Sequence, residues 1–128
     1  MTGELPIRVL IADDDADVRD ALASLIGSDD DLELAAAAGD AHEAIELAGR
    51  VQPDVALVDA RMPGGGGVVA AQGIAARSPQ TTIVALSASS LLPQALEPLV
   101  SGWIVKGIRS REILNSIKRY ADSRPSRP

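Results

Sequence analysis

Val55-Ala56-Leu57-Val58-Asp59, followed by Ala60-Arg61-Met62-Pro63 and the glycines Gly64 to Gly67, is the stretch whose reading decides the fold. The run Val55 to Val58 is apolar on both faces, as in a strand buried inside a parallel sheet. It ends on a carboxylate, which puts Asp59 at the carboxyl edge of that sheet, where open α/β sheets bind ligands. Pro63 and the glycines are expected to forbid regular structure for several residues, so that the backbone can curl around a small anion or ion. Alone, Asp59 reads more readily as a strand-ending residue with no chemistry, because acidic residues are common at loop starts.

Upstream, Ile7 to Ala12 reads as a first strand running into Asp13-Asp14-Asp15. In Asp17 to Ile26, Val18, Ala21, Leu22, Leu25 and Ile26 share one helical face. Asp15 belongs to the helix N-terminus, and Gly27 suits its stop. Asp29-Asp30-Asp31 reads as a solvated turn. Leu32 to Ala38 is a second, alanine-rich strand, and Asp40 is placed to cap a helix over Ala41 to Arg50. His42 falls on the exposed side of that helix. Downstream, Val68 to Arg77 reads as a helix whose Val68, Val69, Ala71, Ala75 and Ala76 allow close packing on the sheet. Thr82 to Leu86 is a fourth strand ending at Ser87. Leu91, Leu92, Ala95, Leu96, Leu99 and Val100 have helical spacing, but Pro93 and Pro98 interrupt it. Trp103 to Val105 is a short fifth strand before Lys106-Gly107. Ser110 can cap a last helix, Arg111 to Tyr120, with Ile113, Leu114, Ile117 and Tyr120 inward.

Strand and helix alternate five times. The expected fold is a single doubly wound five-stranded parallel α/β sheet with helices on both faces. Residues 1–122 make one domain, and Ser123 to Pro128 read as a flexible tail or the start of a linker.

The chain has 128 residues, 46% of them hydrophobic, with no Phe, one Trp and one Tyr, so its core must be aliphatic. No cysteine is present, which excludes disulfides, zinc-thiolate centres and a cysteine nucleophile. The net charge of −6 disfavours direct binding of nucleic acid or an anionic membrane. No apolar run is long enough to span a bilayer, and no signal-peptide pattern opens the chain, so a cytoplasmic location is expected. The glycine run is not a phosphate-binding Walker loop, because no Gly-Lys-Ser/Thr follows it.

In a parallel sheet, the strand ends Asp13-Asp14, Asp59, Ser87 and Lys106 lie along one edge. Carboxylates held together repel unless a cation joins them. A hard divalent ion such as Mg²⁺ suits carboxylate oxygens, a backbone carbonyl and water, and would neutralise an incoming phosphoryl group. Lys106 offers a point charge for a phosphoryl oxygen and Ser87 a hydroxyl donor, which leaves Asp59 as the nucleophile of an aspartyl phosphate.

These residues, with Asp59-Ala60-Arg61-Met62-Pro63, Ser87-Ala88 and Gly102-Trp103-Ile104-Val105-Lys106, resemble the receiver (CheY-like) domain of two-component response regulators, over about residues 7 to 120. The resemblance implies a flavodoxin-like sheet in which Asp59 accepts a phosphoryl group from a histidine kinase or a phosphotransfer protein. It implies that Asp14, Asp59 and the Arg61 carbonyl touch Mg²⁺ while Asp13 acts through water. Ser87 and Lys106 would meet the phosphoryl oxygens, and Trp103 stands at the aromatic switch position. The output would be the surface of the fourth helix, fifth strand and fifth helix, with a receiver homodimer as one use of it. DNA binding would belong to an appended output domain, and the chain would be a regulator rather than an enzyme. Two departures stand out. Gly107 replaces the usual Pro, and the span from Ser87 to Lys106 is short, which implies a shortened or distorted fourth helix.

Two other readings stay open on sequence. A pseudo-receiver would bind partners on the same fold without phosphorylation. A haloacid-dehalogenase-like phosphatase would use Asp13-x-Asp15, Ser87 and Lys106, but it needs a later acidic pair and leaves Asp59 without a role.

Overall fold

Val55–Asp59 forms a strand buried at every position, so both of its faces must be covered. In the computed structural model, which describes residues 5–63 and 65–122, the elements run in this order: β1 (Ile7–Ala12), α1 (Ala16–Gly27), β2 (Leu32–Ala38), α2 (Ala41–Val51), β3 (Val55–Asp59), α3 (Gly66–Arg77), β4 (Thr82–Ser87), a 3-10 turn (Glu97–Leu99), β5 (Gly102–Val105) and α4 (Ser110–Ala121). The sheet is parallel throughout, with strand order β2-β1-β3-β4-β5 and β3 at its centre. The expected doubly wound architecture is therefore present.

Side chains alternate across a strand, so each strand feeds two cores. Leu10, Ala12, Ala56, Val58, Ile83 and Ala85 lie in the core under α2 and α3. Val9, Ile11, Val55, Leu57, Val84 and Leu86 lie in the core shared with residues of α1 and α4. The first of these layers is rich in alanine, with Ala41, Ala44 and Ala48 from α2 and Ala70 and Ala71 from α3. Small side chains let the helices approach closely. Ile45 of α2 sits against Gly73 of α3, where a Cβ would collide with it.

Two helices start where the sequence places their caps. Asp15 accepts hydrogen bonds from the amides of Asp17 (2.9 Å) and Val18 (3.4 Å), and Asp40 from that of Glu43 (2.8 Å). Other expectations need correction. Helix α3 begins inside the glycine run, at Gly66 rather than Val68, because Gly65 and Gly66 take φ of 102° and 70° and turn the chain directly into it. Its buried positions are Gly67, Ala70, Ala71 and Ile74, while Ala75 and Ala76 are exposed. The residue capping α4 is Arg109, in extended geometry and with no side-chain cap bond; Ser110 is already helical. The Asp29-Asp31 turn is not simply solvated: Lys118 of α4 reaches Asp29 at 2.7 Å and Asp31 at 3.4 Å. That contact holds Asp29 below the usual carboxylate range, first through the Lys118 hydrogen bond.

The shortening expected between β4 and β5 goes to its limit. Among the described residues, only the 3-10 turn separates these strands, and Pro98 lies in it. The expected output face thus lacks a fourth helix and consists of residues 88–101, β5 and α4. Gly107 adopts φ of 94°, a region closed to the proline usual at that position. Ser123 to Pro128 lie outside the described residues, and no described helix is long and apolar enough to cross a membrane.

Candidate functional site

The C-terminal ends of β1, β3, β4 and β5 deliver Asp13, Asp59, Ser87 and Lys106 to one edge, because parallel pairing aligns those ends. Ala12 is paired with Val58, Asp59 with Leu86 and Ser87 with Val105. Asp13 and Asp59 are buried, and Asp14 is exposed. One carboxylate oxygen from each lies within 4.8 Å of the others.

Lys106 binds this cluster together. Its Nζ stands 2.8 Å from Asp13 Oδ2 and 3.3 Å from Asp59 Oδ1. Burial would by itself lower the lysine pKa, but the Asp13 hydrogen bond and the charges of Asp59 and Asp13 outweigh it, so the ammonium is held above its ordinary value. Asp59 moves the other way for a carboxylate. Burial and the Asp13 charge push it up to about 6, against the opposing pull of the Arg61 amide and Lys106. The Arg61 N–H donates to Asp59 Oδ1 at 3.3 Å, so the residues after β3 fold back over the carboxylate. Helix α3 comes equally close. A Cβ on Gly67 would lie 2.8 Å from the Asp59 carbonyl oxygen, so only glycine fits there.

Beside Asp59 opens a cleft of about 210 Å³ lined by Ala60, Arg61, Ser87, Ala88, Ser89, Leu91 and Pro93. Ser87 Oγ accepts from the Ser89 amide (3.2 Å) and donates to the Leu91 carbonyl (3.3 Å). The hydroxyl therefore fastens the segment that stands where a helix was expected. Trp103 does not join this cluster. It sits on the edge strand β5, 41% exposed, and its carbonyl accepts a hydrogen bond from the Tyr120 hydroxyl at 3.4 Å. Asp15 is committed to capping α1, which removes the second acid of the phosphatase-like reading. His42 is exposed on α2.

Three residues of structural weight escape a sequence reading. Arg19 Nη1 donates to the Asp13 carbonyl at 2.8 Å. Asp54 is buried and accepts from the Arg8 amide at 2.9 Å. Lys118 closes on the Asp29 turn. For Arg19 a signal existed, since it follows the capping Asp15 by one helical turn and so faces back toward the acidic loop.

Residues 9–118 match the model of the response regulator receiver domain. The chain belongs to that family. Among curated relatives, the receiver domain is 33% identical over 114 residues to the transcriptional regulatory protein LnrK of Bacillus subtilis (strain 168), covering 87% of this chain and 52% of LnrK. It spans about half the length of the curated relatives it matches first. The solved response regulator domain of Thermotoga maritima CheB superposes with a TM-score of 0.83 at 29% identity, covering 94% of this chain and all of that one. The receiver domain of the sensor histidine kinase PA1611 of Pseudomonas aeruginosa PAO1 was solved with a magnesium ion coordinated in its active site cleft. It shares the fold, with a TM-score of 0.79 at 22% identity over 93% of this chain and 100% of that one. Receiver domains are regulatory parts of two-component systems, and that is the class of this one.

Proposed function

We propose that Asp59 is the phosphoacceptor of this receiver domain, taking its phosphoryl group from a phosphohistidine of a sensor histidine kinase or phosphotransfer protein. The observation that carries this is the bridging of Asp13 and Asp59 by the Lys106 ammonium, with Asp59 itself lining the cleft. An Asp59 carboxylate oxygen bonds to phosphorus, the P–N bond breaks, and the imidazole leaves with the electron pair. Lys106 keeps its proton throughout and turns its charge to the phosphoryl oxygens. Ser87 Oγ leaves the Leu91 carbonyl to donate to one of those oxygens.

The acidic cluster fits a hard divalent ion. Asp13 Oδ2 is buried and meets only the Lys106 ammonium, and all the candidate ligands are oxygen atoms. Asp14, Asp59 and the Arg61 carbonyl would hold Mg²⁺, with Asp13 acting through water. The ion would supply charge neutralisation for the phosphoryl oxygens.

The domain is read as residues 1–122, with residues 123–128 as tail or linker. The longer relatives named as transcriptional regulators support a partner output domain that binds DNA, governed from the face of residues 88–101, β5 and α4, through partner docking or a receiver homodimer. We read the domain as cytoplasmic.

Intact mass after incubation with a small acyl phosphate and Mg²⁺ tests the assignment. The wild type should gain one phosphoryl group, and Asp59→Asn or chelator-treated protein none. Full incorporation into Asp59→Asn would overturn it. The single Trp103 gives a second readout of the same sample: its emission should shift on phosphorylation, and less so in Ser87→Ala.

A further inference from the structure

Asp14 is the exposed member of the acidic cluster, and among the described residues its carboxylate has no hydrogen bond or ion pair. Nothing on its own side chain aims it. Asp13, one residue earlier, is fixed at every polar atom. Its N–H donates to the Ala38 carbonyl at 3.0 Å, its Oδ1 accepts from the Asp15 amide at 2.9 Å, and its Oδ2 pairs with Lys106. The remaining atom, the Asp13 carbonyl oxygen, takes the Arg19 guanidinium at 2.8 Å. That carbonyl and the Asp14 amide belong to one rigid peptide plane. Holding the oxygen therefore sets the plane from which the Asp14 Cα and carboxylate project.

The guanidinium is itself seated. Arg19 is half-buried, and it crosses the β2–α2 turn over Gly39, where a Cβ would stand 3.2 Å from Nη1. The bond it makes is charge-assisted and partly buried, hence stronger than a neutral one.

We propose that Arg19 is a positioning residue for the divalent ion: by clamping the Asp13–Asp14 peptide it orients the Asp14 carboxylate toward Asp13 and Asp59. This rests on the metal reading of the acidic cluster given above. Residues that orient metal ligands are typically worth a tenfold or larger change in affinity.

The sign of the effect separates positioning from simple charge. Deleting a cation beside three carboxylates should tighten Mg²⁺ binding by Coulomb's law, whereas losing the clamp should loosen it. Arg19→Met keeps the stem over Gly39 and removes the donors; Arg19→Lys keeps the charge and one donor. Mg²⁺ titration calorimetry on the metal-free protein should show Arg19→Met weakened by about tenfold, with Arg19→Lys between it and the wild type. The Asp14 amide ¹⁵N shift should already move in metal-free Arg19→Met, because that nitrogen is bonded to the released carbonyl carbon. Unchanged or tighter binding by Arg19→Met, with Asp14→Asn and Asp59→Asn both weakened, overturns the role of Arg19 alone. Wild-type affinity in Asp14→Asn and Asp59→Asn overturns the metal reading, and Arg19 with it.

Discussion

At Asp59, burial and the nearby Asp13 charge oppose ionisation more than the Arg61 amide and Lys106 favour it, and the carboxyl titrates near 6 rather than its ordinary 3.8. Between these values the folded protein binds more protons than the unfolded chain. Stability therefore falls as pH rises through that window, and the penalty is complete above about pH 6. Its size is about 1–3 kcal/mol. In metal-free protein, Asp59→Asn should accordingly be the more stable form at pH 7.5 and lose that advantage near pH 4; denaturant melts showing it less stable at pH 7.5 would contradict the sign. The residues of this site were legible for a simple reason. Asp13, Asp14, Asp59, Ser87 and Lys106 all follow apolar runs, and apolar runs locate strand ends. Arg19 and Lys118 were hidden because their partners are a backbone carbonyl and a turn 87 positions away, respectively. For Arg19 the one local hint is its place a helical turn after the capping Asp15; for Lys118 no local pattern exists.

The elements show where local reasoning stops. All five strands stand where their apolar runs put them, and Asp15 and Asp40 cap as their chemistry suggests. Segment 88–101 is the instructive case. Leu92, Leu96, Leu99 and Val100 have helical spacing and do pack against the core under α2 and α3, yet form no α-helix. Spacing matched burial at these four but not at Leu91 and Ala95, which are exposed, while Pro93 and Pro98 decided the backbone. The Pro93 carbonyl accepts from the amides of Leu96 and Glu97, forming turns in place of a continuing helix. Leu96 is fully buried, and Leu91 is 80% exposed. Leu96→Ala should therefore cost about 2–4 kcal/mol in urea unfolding, and Leu91→Ala less than about 0.5. The reverse ranking would mean that the segment is held by Leu91.

At the scale of the molecule, a net charge of −6 and an acidic cluster with two buried carboxylates would make a bound divalent ion a stabiliser of the whole fold. Mass action sets its size at about 2.7 kcal/mol when Mg²⁺ stands at a hundred times its dissociation constant. The melting temperature should rise with MgCl₂ but not with NaCl of equal ionic strength, and Asp59→Asn should gain less; an equal response to both salts would reduce the effect to screening. The alanine-lined layer has a mechanical consequence. Between the sheet and α2 and α3 there are few long side chains to bend, and Ile45 is wedged on Gly73, so displacement there meets close-packed, poorly compressible contacts. On the same face, residues 88–96 have no helical hydrogen-bond ladder. Asp59 lies between these regions, beneath α3 and beside the cleft. A phosphoryl group on its carboxylate would thus press on a close-packed helix layer on one flank and on a segment without that ladder on the other, which would give the domain a direction of deformation before any partner arrives.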